Sequence, residues 1–168
     1  MKITPFFALS VALAMCSASA WAAGPVGTWV QGPARVVDGD TLAIGQQRIR
    51  LHGIDAPESS QSCYIDGVAW ECGKASTWEL TQRVGNRPVS CLVKDQDRYG
   101  RLVADCQVAG VSLNAQQVES GWALAYEKYS KDFLPQQARA RAAGRGIWSS
   151  KWSSPEQFRR EKNRKTTP

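Results

Sequence analysis

Asp38-Gly39-Asp40-Thr41-Leu42-Ala43-Ile44-Gly45-Gln46-Gln47-Arg48-Ile49-Arg50-Leu51-His52-Gly53-Ile54-Asp55-Ala56-Pro57-Glu58 holds two turn signals and one strand whose two faces can be told apart. Asp38-Gly39 is a strong hairpin signal, because tight hairpin turns need residues that tolerate positive φ. Gly45-Gln46 marks a second turn. Between 47 and 54, Ile49 and Leu51 alternate with Arg48, Arg50 and His52, a period of two that gives one apolar and one polar face. Three successive strands are therefore expected, over 27–37, 41–44 and 47–54.

Working outward, 66–84 reads as a helix with Val68, Cys72, Ala75, Leu80 and Val84 on its buried side, stopped by Asn86 and Pro88. Segments 88–94 and 102–108 read as a second hairpin. A second helix is expected over 111–121, capped by Gly121, and a third over 132–143, ended by Gly144 and Gly146. The stretch 159–168 is charged and reads as a frayed end. Three strands, a helix, two strands and two helices predict an α+β domain. A five-stranded OB-fold β-barrel with three α-helices fits that order.

Length and charge bound the function. The chain has 168 residues, room for one domain with its own core. Hydrophobic residues make up 43 %, which excludes a disordered chain. Met1-Lys2, the apolar run 6–15 and the small residues around Ala20 and Ala22 form a secretory leader over residues 1–22, with cleavage after Ala20 or Ala22. The run is too short to span a bilayer. Cys16 would suit a lipoprotein, but Met15 is large where the processing peptidase wants a small residue. The globular domain is placed at 23–150 and a basic flexible tail at 151–168. A periplasmic or secreted protein without stable membrane association is expected, and nothing in the sequence demands more than a monomer. The net charge of +6, to which Lys2 in the leader contributes, suits a polyanionic partner.

Four cysteines follow the leader: Cys63, Cys72, Cys91 and Cys106. An even number in an exported chain predicts disulfides, with three connectivities open. Cys91 and Cys106 lie at equal distance from a turn at Arg98-Tyr99, which favours that pair and leaves Cys63–Cys72. A single histidine and the absence of a CxxC pair argue against zinc.

Three clusters carry the candidate chemistry: Asp38-Gly39-Asp40-Thr41, then Arg50 with Asp55-Ala56-Pro57-Glu58, then Asp97-Arg98-Tyr99-Gly100-Arg101. Taken singly they are a turn, a strand exit and a hairpin tip. Together they offer two hard carboxylate ligands at neighbouring strand ends, Asp40 and Asp55, which suit Ca²⁺. They add a carboxylate, Glu58, within reach of a metal-side water, and two guanidinium forks that match phosphate. That set is what phosphodiester hydrolysis needs.

The order DGDT, then R-L-H-G-I-D-A-P-E, then D-R-Y-G-R resembles the staphylococcal nuclease (thermonuclease) family. Ser120-Gly121-Trp122-Ala123 and Gly144-Arg145-Gly146-Ile147-Trp148 extend the resemblance, so that it runs from about Val30 to Trp148. The resemblance implies an exported, Ca²⁺-dependent nuclease that hydrolyses DNA and RNA and leaves 3′-phosphate ends. It implies Asp40, Asp55 and the Ala56 carbonyl as calcium ligands, and Asp38 as a carboxylate tuning them from behind. Arg50 would contact the scissile phosphate, Glu58 would act as general base, and Arg101 would offset charge in the transition state and assist the leaving group. Arg98 and Tyr99 would meet a terminal phosphate, and Tyr126 would lie beside a base. Two departures stand out. Alanine replaces the family's usual threonine after Asp55, and Lys128 stands where a second aromatic is expected, with Tyr129 next. The competing reading is a non-catalytic nucleic-acid-binding OB module. A third reading is an envelope interaction protein whose basic tail docks a partner. His52, on the Arg50 face, is read as a surface or packing residue.

Overall fold

Alternation and turn chemistry decide the first half of the barrel. β1 (Trp29–Asp38), β2 (Thr41–Ile44) and β3 (Gln47–Leu51) form an antiparallel meander, with Asp38 opposite Thr41 and Ile44 opposite Gln47. Both turns thus fall where Asp38-Gly39 and Gly45-Gln46 predict them. The computed structural model describes residues 26–166; the leader expected over 1–22 lies outside them.

Beyond β3 come β4 (Ile54–Asp55), β5 (Cys63–Ile65), β6 (Val68–Trp70), α1 (Cys72–Val84), β7 (Pro88–Gln96), β8 (Leu102–Val108), β9 (Val111–Ser112), α2 (Leu113–Glu119), β10 (Leu124–Ala125) and α3 (Leu134–Ala142). A 3-10 turn (Gly146–Ser149) and α4 (Pro155–Thr166) complete the order. Strands β3-β2-β1-β7-β8 lie side by side, and parallel pairing of β3 with β8 closes them into a five-stranded barrel. Ile49 pairs with Leu102 and Leu51 with Ala104 along that seam. The inward set Leu42, Ile49, Leu51, Val89, Val93 and Leu102 packs with Leu80 and Val84 of α1 and with Leu113 and Val118 of α2. Each such burial contributes about 1.5–3 kcal/mol.

Two buried amides brace the barrel. The Cys106 N–H donates to Asn114 Oδ1 at 2.9 Å, while Asn114 Nδ2 donates to the carbonyls of His52 and Ala104 at 2.9 and 3.2 Å. Asn114 thereby stitches the β3 exit to β8. Gln117 Nε2 donates to the carbonyls of Gly39 and Ser76 at 2.9 and 3.3 Å, tying the first hairpin turn to α1. Cys91 and Cys106 face each other across β7 and β8 and are bonded, as are Cys63 and Cys72. Two disulfides fit an oxidising compartment. Among the described residues no helix is long and apolar enough to cross a membrane.

Three sequence expectations are corrected. The helix read over 66–84 begins only at Cys72. Asp66 and Gly67 both take positive φ, 50° and 83°, which makes a hairpin turn between β5 and β6 and forbids helix there. Val68, placed on the buried side of that helix, is 71 % exposed. The third correction is the helix count, four rather than three: the end read as a frayed tail forms α4. Pro155 suits a first helical turn, the Ser154 hydroxyl accepts from the Gln157 N–H at 3.1 Å, and Glu156 pairs with Arg160 at 2.6 Å one turn on.

Candidate active site

The polar ends of β1 to β4 converge on one carboxylate cluster. The Asp40 N–H donates to Asp38 Oδ1 at 3.0 Å, a local bond that shapes the β1–β2 turn. Asp40 is buried, and its Oδ1 accepts from the Thr41 hydroxyl at 3.0 Å. Its Oδ2 accepts from the Ala56 N–H at 3.2 Å, so the first hairpin is fastened to the strand exit after β4. Asp55, also buried, is set by pairing of β4 with β10, Asp55 opposite Leu124.

Arg50 lies between them. Thr41 is its partner across β2 and β3, and the period of two turns its side chain outward, away from the core. Its Nη1 meets Asp40 Oδ1 at 3.1 Å and its Nη2 meets Asp55 Oδ1 at 2.8 Å. Burial disfavours the guanidinium's charge, but the Asp40 and Asp55 carboxylates outweigh it and hold Arg50 above the usual arginine range. One guanidinium serves two acids, so Asp40 stays short of positive charge. Burial, reinforced by the Asp38 carboxylate and opposed by Arg50, raises its carboxyl above the usual aspartate range.

Glu58 is positioned by a turn rather than a strand. Its carbonyl accepts from the Gln61 N–H at 2.7 Å, and its N–H donates to Gln61 Oε1 at 3.2 Å. Helix α1 presses on the same turn at Gly73, where a Cβ would overlap the Glu58 carbonyl. The buried Gln61 also donates from Nε2 to the Ser153 carbonyl at 2.7 Å, which links the turn to the segment leading into α4.

Arg159 of α4 enters this cluster, and the sequence reading did not place it there. Its Nη1 and Nη2 meet Asp55 Oδ1 and Oδ2 at 3.1 and 3.0 Å, and Nη1 meets Glu58 Oε1 at 2.8 Å. Burial works against its charge, but bonds to Asp55 and Glu58 raise Arg159 above the ordinary arginine range. The signal that could have found it is Ser153-Ser154-Pro155-Glu156, a helix start that would have made the tail an ordered element.

The donor set suits a hard divalent cation. Asp40 and Asp55 are buried carboxylates that share Arg50, and Asp40, without the second guanidinium that Asp55 has in Arg159, is under-neutralised, as a cation-binding carboxylate would be. Among the described residues no group of three or more His, Cys, Asp or Glu side chains is drawn together at ligand distance, so main-chain oxygens and water would have to complete the coordination.

A family model described as Staphylococcal nuclease homologue matches residues 48–150. The chain belongs to that family. It is 37 % identical over 121 residues to the succinoglycan biosynthesis protein ExoI of Rhizobium meliloti (strain 1021), covering 70 % of this chain and 63 % of that one. It is 33 % identical over 113 residues to the "Probable staphylococcal-like nuclease CAN2" of Oryza sativa subsp. japonica, covering 66 % and 28 %. With an "Uncharacterized endonuclease" of Escherichia coli O157:H7 the identity is 36 % over 122 residues, covering 68 % and 74 %. The chain therefore spans less than two thirds of the length of the Rhizobium and rice relatives.

In this staphylococcal nuclease homologue the remaining candidates form two further groups. Arg101 Nε meets Asp97 Oδ2 at 2.7 Å, and Arg98 and Arg101 both flank the Tyr99 ring, 4.9 and 5.8 Å from its centroid. These residues make the β7–β8 hairpin tip, and Tyr99 and Arg101 line a cleft with Gln46, Gln47 and Arg48. Arg101 is bonded to Asp97 of its own tip. Tyr126 is held to the β3–β4 connection, its N–H donating to the Gly53 carbonyl at 2.8 Å. Burial and the Asp55 and Glu156 carboxylates push its phenol above the usual range. Its ring meets Tyr129 edge-on at 4.9 Å, so a second aromatic is present one residue past Lys128. His52 pairs with Asp105 at 3.4 Å and stays outside the cluster.

Proposed function

We propose that this protein is an exported Ca²⁺-dependent nuclease that hydrolyses phosphodiester bonds of DNA and RNA and leaves 3′-phosphate ends. The observation that carries this reading is the pair of buried carboxylates, Asp40 and Asp55, bridged by Arg50 with Glu58 alongside. Family membership and the relatives named as nucleases support it. The whole chain from 23 to 150 is assigned to the nuclease domain, and release from a leader at 1–22 accounts for the two disulfides.

Asp40, Asp55 and the Ala56 carbonyl would hold the calcium ion, with Asp38 tuning Asp40 through its N–H. Bound there, calcium supplies Lewis-acid polarisation of the phosphate and a place for the attacking water. Arg50 lies against the same carboxylates and would donate to the phosphate oxygens as their charge grows. Glu58 would take the proton from water, at the carboxylate that now faces Arg159. Arg101 would reach the leaving side by releasing Asp97. Arg98 and Tyr99 at the tip would hold a terminal phosphate, while Tyr126 and Tyr129 offer π-faces to a base whatever its sequence.

The test is cleavage of single-stranded and duplex DNA and of RNA by the purified protein, with calcium and then with chelator, beside Glu58→Gln. Calcium-dependent cutting that the variant loses by about 10²-fold or more supports the assignment. Nucleic acid bound but uncut by the wild-type protein would favour the binding-module reading.

A further inference from the structure

Both oxygens of Asp55 are occupied by arginine: Oδ1 by Arg50 and Arg159, Oδ2 by Arg159. The same Arg159 guanidinium also holds Glu58. A guanidinium seated against both oxygens of Asp55 repels an incoming cation, and its bond to Glu58 Oε1 occupies an oxygen that a water would use. Arg159 therefore covers the two carboxylates that metal binding and water activation would use.

The element that brings Arg159 there is fixed at its root and loosely held beyond it. Gln61 holds the Ser153 carbonyl, Tyr64 and Lys151 exchange backbone bonds at 2.8 Å, and Trp152 packs edge-on against Trp148 at 5.1 Å. Pro155 is buried and Phe158 half-buried, but Arg160 and residues 162–165 are exposed. One turn past the root, α4 is docked by the half-buried Phe158 and by the Arg159 guanidinium, 34 % exposed. The Arg159–Glu58 pair is partly exposed on both sides and weakens with salt, while the buried Asp55 needs a cation that a metal could supply in place of Arg159. This is the profile of a segment that can leave without unfolding the barrel.

We propose that α4 is a self-inhibitory strap: Arg159 caps Asp55 and Glu58 in the resting protein, and a divalent cation entering beside Asp55 must displace it. The inference rests on the calcium-site reading above. Binding of the cation and docking of the strap are then reciprocal, each weakening the other by the same factor.

The experiment is calorimetric titration of the full chain with calcium chloride at low ionic strength, for wild type, Arg159→Gln, Arg159→Lys and Phe158→Ala. Thermal melts confirm that each variant is folded. Arg159→Gln should bind calcium roughly fivefold more tightly, about 1 kcal/mol, with Arg159→Lys closer to wild type. Phe158→Ala loosens the strap without touching a carboxylate and should also bind more tightly. In parallel, calcium should speed tryptic cleavage of the wild-type chain within 159–165. Equal or weaker binding by both Arg159→Gln and Phe158→Ala, or proteolysis indifferent to calcium, overturns the strap while leaving the metal site standing. No calcium binding by any of the proteins overturns both.

Discussion

Arg50 Nη2 lies 2.8 Å from Asp55 Oδ1 and 3.1 Å from Asp40 Oδ2, so one nitrogen holds together two buried carboxylates, one from the β1–β2 turn and one from β4. Removing it leaves two acids facing each other without their shared cation. Arg50→Met should lower stability by about 3 kcal/mol at neutral pH, and turnover by at least about 10²-fold. Melting with and without calcium checks the first part. Calcium should restore much of the lost stability in Arg50→Met, and a melt equal to wild type without calcium would show that the acids do not need the bridge.

Gly73 should be as sensitive as a residue that touches substrate. A side chain there collides with the Glu58 carbonyl, and the obstacle is backbone, which cannot swing away. Gly73→Ala is expected to cost about 1–3 kcal/mol and to depress cutting beyond what its melting point explains, because it displaces the turn that aims Glu58. Activity and melting measured side by side on this variant decide it.

The β7–β8 tip carries a pH dependence of known sign. Asp97 accepts from Arg101 Nε and from the Tyr99 and Arg101 N–H groups at 2.7, 2.9 and 3.0 Å. Burial opposes its charge, but these bonds hold its carboxyl below the usual 3.8. A depressed carboxyl stabilises the fold above its unfolded value, and that contribution is lost as pH falls through the lower, folded value. Asp97→Asn should therefore melt below wild type at pH 7, and the gap should narrow as pH falls below 3.8 and through the lower, folded value. A gap that persists in acid would mean the asparagine harms the hairpin by some other route.

Replacing both members of the Cys91–Cys106 pair by alanine should cost about 2–5 kcal/mol in denaturant unfolding. The bond joins directly opposed core positions of β7 and β8. Cys63–Cys72 closes a shorter loop, 9 against 15 residues apart, so its loss should cost less stability. Because it ties the β5–β6 hairpin to the start of α1 beside Gly73, it should affect activity more than Cys91–Cys106 does. The reverse ordering in either measurement would contradict this.

The barrel strands were legible because their signals are local. Asp38-Gly39, Gly45-Gln46 and the alternation around Ile49 and Leu51 each act within a few residues, and the Cys91–Cys106 register follows from counting outward from one turn. The same Asp-Gly signal stands at Asp66-Gly67, but the apolar positions after it also fit a helical period, which masks the turn. Asp40, Arg50, Asp55 and Glu58 were legible as a set through the resemblance of their motifs. Arg159 was not, since its partners lie more than a hundred positions earlier and nothing local marks a basic residue in a polar helix as a carboxylate cap. The bond from Arg101 to Asp97 was equally hidden, because it is a matter of geometry and not of spacing.

The parallel seam between β3 and β8 has a kinetic consequence. Hairpins β1–β2, β2–β3 and β7–β8 can each form from neighbouring segments, but the seam joins Ile49 to Leu102, and closing so long a loop costs entropy before any contact repays it. Arg50 sits on that seam, opposite Val103. During refolding, strand structure should therefore appear before catalytic competence, and activity should emerge with the slowest phase. On the nuclease reading proposed above, newly made chains would pass through a period in which they are structured yet harmless to any nucleic acid nearby.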